Sequence, residues 1–110
     1  MNEITTEVLE EFKERMKLSD DEDGNLARIL RASVSDLTIK CGAYTIESDE
    51  RFKELVFDRA RYVYNDALEY FNSNFQSQIN QLAVQKALDN IVLDDNVITP
   101  PTNEGELVEG

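Results

Sequence analysis

Histidine and tryptophan are absent from this 110-residue chain, cysteine occurs once, proline twice and glycine four times. Each scarcity closes something off. Without histidine, the commonest general base and metal ligand are both missing. A lone thiol, Cys41, permits no intrachain disulfide and suits a reducing compartment. The scattered glycines form no glycine-rich phosphate loop. Bases are scarce as well, with 11 Lys and Arg against 23 Asp and Glu, a formal net charge of −12. Nucleic-acid grip depends on clustered cations that release counterions, and docking on anionic membrane surfaces needs the same sign of charge, so this balance argues against both. No apolar run approaches the ~20 residues that cross a bilayer. The start, Met1-Asn2-Glu3-Ile4-Thr5, has neither the basic head nor the apolar run of a secretory signal. The composition predicts a soluble protein made in the cytoplasm, with no enzymatic activity, cofactor or membrane partner.

What is present suits one small helical domain. Hydrophobic residues make up 41% of the chain, enough for a modest core. Domains this short bury a smaller share of their surface than large ones, so stability gained from partners is plausible. The charge is unevenly placed: residues 1–24 hold nine acids and three bases, residues 25–89 nine and eight, and residues 90–110 five and none.

Ile4, Val8, Leu9, Phe12 and Met16 recur at three- and four-residue steps, which predicts a first helix over about 5–17 with Thr5 or Thr6 as its cap. Ser19-Asp20-Asp21-Glu22 reads as a capping box. It opens a second helix whose stripe is Leu26, Ile29, Leu30, Val34, Leu37 and Cys41, stopped by Gly42. Ser48, Asp49 and Glu50 start a long run, about 49–72, with apolar residues over more than half its circumference; this predicts a central helix buried on two sides. Asn72-Ser73-Asn74 reads as a break, and a last helix is expected over about 76–89 with Phe75, Ile79, Leu82, Ala83 and Ala87 inward. The fold predicted is an all-α, small four-helix bundle over residues 1–90, followed by an extended or disordered C-terminal arm over 91–110.

That arm alternates acidic spacers with apolar patches. Ile91-Val92-Leu93 and Val97-Ile98-Thr99 precede Pro100-Pro101, which forbids helix and enforces an extended path. Either patch can add a strand to an open sheet edge of another protein, main-chain bonds giving the affinity; the plain alternative is disorder. Inside the domain, Arg59, Arg61 and Tyr62 form a basic–aromatic strip, a candidate subunit contact because Arg and Tyr are enriched at interface anchors. The rival reading pairs Arg59 or Arg61 locally with Asp58, Asp66 or Glu54.

Three sharper chemistries are weaker. A calcium loop with Gly24 in the glycine position would need a bidentate Glu where Leu30 stands on the apolar stripe. The carboxylate pairs Asp20–Asp21 and Asp49–Glu50 sit at helix starts, where solvent and dipole favour ionisation of both and neither serves as an acid. Cys41 lies on an apolar face near a helix C-terminus, where the dipole opposes a thiolate.

The order of these elements resembles the head–tail connector, or adaptor, proteins of long-tailed bacteriophages. The likeness runs from the threonine-preceded helix Ile4-Thr5-Thr6-Glu7-Val8-Leu9-Glu10-Glu11-Phe12-Lys13 through the acidic turn Leu18–Asp23 and the amphipathic helix Leu26–Cys41. It continues with a glycine-containing connector, a long helix rich in Ala, Val and aromatics ending near Tyr70-Phe71-Asn72, and a closing helix Ile79–Leu88; Ser73 stands where the family carries a base. The resemblance implies a ring, commonly of twelve copies, seated beneath the portal protein in the virion. Such a ring extends the DNA channel without gripping DNA and offers a surface to the stopper or tail-completion protein. It also implies that the C-terminal arm reaches the portal. An acidic channel wall would repel DNA and let it slide. The rival function is an acidic inhibitor that mimics DNA and fills the basic cleft of a DNA-binding enzyme.

Overall fold

The computed structural model describes residues 4–18 and 23–93, with residues 23, 92 and 93 described by their backbone only. The fold is all-α. The described residues form four helices, α1 (Thr6–Met16), α2 (Asp23–Cys41), α3 (Glu50–Tyr64) and α4 (Phe71–Leu93), with a 3-10 turn at Leu68–Tyr70 before α4.

Local chemistry sets the boundaries. Val8 N–H donates to Thr5 Oγ1 at 3.2 Å, so Thr5 caps α1. At the other end Lys17 takes the left-handed conformation (φ 59°), while Lys17 N–H reaches Glu14 O and Leu18 N–H reaches Lys13 O. That pair of bonds is the Schellman closure, made here without glycine. Asp49 caps α3 by accepting from the Arg51 and Phe52 amides at 2.8 and 3.2 Å. Gly42 ends α2 with φ 111°, a conformation that side chains rarely adopt. The capping box proposed at Ser19–Glu22 lies outside the described residues.

The long helix expected over 49–72 is instead two pieces. α3 stops at Tyr64, where Asp66 takes φ 59° and a second Schellman closure forms from Asp66 N–H to Val63 O and Ala67 N–H to Tyr62 O. The Asn65 side chain also donates to Arg61 O at 2.9 Å. Asn and Asp tolerate this conformation and offer local hydrogen bonds, which outweighs the apolar run around them. Asn72-Ser73-Asn74, expected as the break, is the first turn of α4, and the discontinuity appears one residue later as a kink at Phe75 (φ −119°, ψ 17°). α4 then runs past the expected 89 to Leu93, so Ile91, Val92 and Leu93 continue its backbone and do not begin an extended arm.

α2 meets the three other helices and supplies the middle of the core. Its stripe of Leu26, Ile29, Leu30, Val34, Leu37 and Cys41 is buried, facing Phe52, Leu55, Val56, Phe57 and Ala60 of α3. α1 adds Val8 and Phe12, the latter 5.4 Å from the Phe57 ring, and α4 adds Phe71, Ile79 and Leu82. Burying one such side chain contributes roughly 1.5–3 kcal/mol, against ~0–1 for an exposed ion pair, so packing and not charge decides the fold. Leu30 is fully buried, as the apolar-stripe reading of the calcium-like loop requires. Ala87, expected inward, is exposed, and so are Leu68 and Tyr70, expected on the buried face of the long helix.

Candidate functional site

Side chains with chemical potential fall into three groups, and most are engaged within the fold. The first lies between α1 and α3. Arg15 bridges Glu11 at 3.1 Å and Glu54 at 2.8 Å, and Lys53 meets Glu11 at 2.8 Å. Both cations also lie over the Phe57 ring, at 5.0 and 5.8 Å. Hydrogen bonding from Lys53 holds the Glu11 carboxyl below its ordinary range, and hydrogen bonding from Arg15 does the same to Glu54. Carboxylates kept ionised in this way brace helices; they do not supply protons.

The second group joins α2, α3 and α4. Arg59 donates to Asp36 and to the buried Ser33 hydroxyl, both at 3.1 Å. Asp36 also meets Lys40 at 2.9 Å, and Lys40 reaches the Asn72 side chain at 2.7 Å. The basic–aromatic strip is therefore divided. Arg59 turns inward to this network. Tyr62 packs edge-on against Phe71 and Phe75, at 5.8 and 5.6 Å, and its hydroxyl accepts from Asn74 at 3.1 Å. Arg61 remains at the surface, bonded to Asp58 at 3.2 Å and lying 5.3 Å from the Tyr62 ring centroid. Of the local partners weighed for the two arginines, Asp58 is the one bonded.

The third group lines the joint between the α2 terminus and α4. Tyr44 hydroxyl donates to Leu82 O at 2.8 Å, with the Lys86 ammonium 4.2 Å from the ring centroid. Cys41 is buried with its sulfur 3.9 Å from Ile79 O, and burial pushes its thiol pKa up. A raised thiol is a poor nucleophile. Among the described residues, no three acidic or cysteine side chains gather where they could hold a metal ion, and no helix is long and apolar enough to cross a membrane.

The rest is surface. α1 exposes Glu7, Glu10 and Glu14, whereas α2 exposes Arg28 and Arg31 together with Ile39, which is 82% exposed. On α4, Val84 and Leu88 are 57% and 48% exposed and Ile91 is half-buried. Inspection of the inward stripe alone misses Val84 and Leu88. Val84 lies about 200° around the helix from Leu82, so two faces of α4 are apolar and only one can meet the core. Of the proposed arm, Ile91, Val92 and Leu93 form the last turn of α4, while Val97, Ile98, Thr99, Pro100 and Pro101 lie outside the described residues.

No protein-family model, curated protein or solved structure matches this chain.

Proposed function

We propose that the protein is a head–tail connector that assembles as a ring beneath a phage portal, extends the DNA channel and offers a docking surface to a stopper or tail-completion protein. The supporting observation is the α4 terminus. Past Leu82 the helix leaves the core and carries exposed apolar residues toward a segment, 94–110, built of acidic spacers and the apolar pairs Val97-Ile98 and Leu107-Val108. A helix that outruns its own core and leads into such a segment is suited to reach another polypeptide. The element order before it, a capped short helix, an acidic turn and an amphipathic helix with a glycine stop, resembles that of connector proteins, although the long helix the resemblance implies up to Tyr70-Phe71-Asn72 is here two pieces, α3 and α4. Residues 97–101 are the main portal contact in this reading, with Arg61 the exposed part of the lateral strip.

The test is reconstitution. Mixed with its cognate portal ring, the full chain should add a layer of density visible by electron microscopy. Deleting residues 94–110 should abolish that layer and leave the circular dichroism helix signal of the domain unchanged. Failure of the full chain to bind the portal, or undiminished binding by the truncated chain, overturns the proposal. A DNA mimic would instead bind a nucleic-acid enzyme as a monomer, with affinity falling steeply in salt.

A further inference from the structure

Acids outnumber bases 23 to 11 in this chain, so an arginine without a carboxylate is unexpected. Arg15, Arg51, Arg59 and Arg61 are ion-paired at distances between 2.8 and 3.2 Å. Arg28 and Arg31 differ. Arg28 bonds the neutral Asn25 side chain, and among the described residues neither arginine meets a carboxylate. Both stand on the outer face of α2, with Ala32, Ser35 and Ile39, and all five are exposed, Ile39 by 82%. Arg28, Arg31 and Ile39 fall within about 80° of one another around the helix axis. Asp36 lies at the edge of this face, about 80° from Arg28, and is held by Arg59 and Lys40. Asp23, in the first turn, is about 140° away, and Asp20, Asp21 and Glu22 lie outside the described residues.

Two arginines beside a bare isoleucine suit a ligand that is acidic and apolar at once. The chain itself carries one. Residues 94–110 hold Asp94, Asp95, Glu104, Glu106 and Glu109, no base, and the apolar pairs Val97-Ile98 and Leu107-Val108. Gly42, three residues past Ile39, lies against Lys86, so the α2 terminus meets α4 seven residues before Leu93. The path from Leu93 to Ile39 is about 10 Å back along α4, about 5 Å along α2 and about 10 Å across it, roughly 25 Å in all. Fourteen extended residues, 94–107, span about 46 Å, whereas 94–98 span only about 16 Å. Leu107-Val108 therefore reaches the face with slack and Val97-Ile98 does not. Exposed ion pairs are individually weak, so an acidic partner from solution gains little there. A tethered segment instead starts from an effective concentration on the order of millimolar, and a second −12 copy approaches against net repulsion.

We propose that residues 104–109 dock on the outer face of α2 in the free protein. Leu107 and Val108 cover Ile39, and Glu104, Glu106 and Glu109 supply the carboxylates that Arg28 and Arg31 lack. The contact occupies the C-terminal segment until another polypeptide competes for it. It holds whatever that competitor is, and so stands without the connector reading.

Paramagnetic broadening in the full chain tests it. Cys41 is buried, so a nitroxide reagent applied to the folded Gly110→Cys variant attaches at position 110. Amide signals between Arg28 and Ile39 should lose the most intensity, falling below half. The added change Arg28→Gln/Arg31→Gln, at exposed positions, should at least halve that loss, and Ile39→Ser should reduce it further. High salt should restore intensity by screening the same charges. Broadening that is absent, or strongest at Val84 and Gln85 beside Arg51, overturns the proposal. So does a loss unchanged by the arginine variant. Mixing spin-labelled chains with isotope-labelled chains that carry no nitroxide should broaden nothing; transfer between them would put the segment on a second copy and overturn the proposal too.

Discussion

Both ends of α4 carry apolar side chains, with opposite fates. Phe71, Ile79 and Leu82 are buried, whereas Val84 and Leu88, within two turns of Leu82, are about half exposed. What separates them lies across from α4. Helix α2 ends at Cys41, and the connector after it makes its last grip on α4 through the Tyr44 hydroxyl at Leu82 O and the Tyr44 ring under Lys86. Beyond that point, among the described residues, Val84 and Leu88 stay largely uncovered. Hydrophobicity in the sequence therefore marks what a helix can bury, while the length of its neighbours decides how much of that is buried within the same chain.

The sharpest way to break this contrast is to make one change in both halves. Leu82→Ala should cost about 2–5 kcal/mol in urea unfolding, the range for a leucine removed from a packed core. Leu88→Ala, measured in dilute protein, should stay within about 0.5 kcal/mol. Equal effects would mean that the distal half is covered within the monomer. At the boundary itself, Gly42→Ala should cost about 1–3 kcal/mol, because φ 111° strains any side chain. A Cβ there would also come within 2.7 Å of Lys86 Cγ; the variant should move Lys86 off Tyr44, a change readable in the tyrosine ring resonances by NMR. On the well-packed side, Asp49→Ala removes the acceptor for two amides at the start of α3 and should lower stability by about 1 kcal/mol in thermal or urea melts.

Acid gives the smallest effect. Glu11 and Glu54 are held below their ordinary range in the folded protein, so they bind protons more readily when unfolded. Their contribution is complete above the usual carboxylate pKa and is lost as pH falls through the depressed folded values. Both side chains are more than a third exposed, so solvent screening keeps the contribution modest. Arg15→Gln should therefore flatten the acid limb of a stability–pH curve and leave the neutral plateau only slightly lower.

The stripe and the stop of helix α2 were legible from spacing. All six stripe residues are buried and the glycine stop falls where the left-handed geometry occurs. α1 was nearly so, since its cap and its period agree. The end of α3 was not, because the stop at Asp66 uses a left-handed aspartate in place of glycine while the apolar period continues through Val63, Tyr64 and Ala67. The candidate site was legible in part. Arg61 pairs with a neighbour three residues away, within reach of a spacing rule, but Arg59 pairs with Asp36, 23 residues distant on another helix. Pairings of that kind depend on how helices dock, which local periodicity does not encode. The exposed stripe on α4 escaped for a different reason: its residues are interleaved with the buried ones, so the apolar count looked like a single face.

One consequence attaches to the single thiol. Cys41 sits where the α2 terminus packs on α4, buried with its sulfur near Ile79 O. An alkylating reagent can reach it only when the packing around it opens. The rate of labelling is thus a built-in clock for opening of the core at this place, readable in the unmodified protein without any introduced probe.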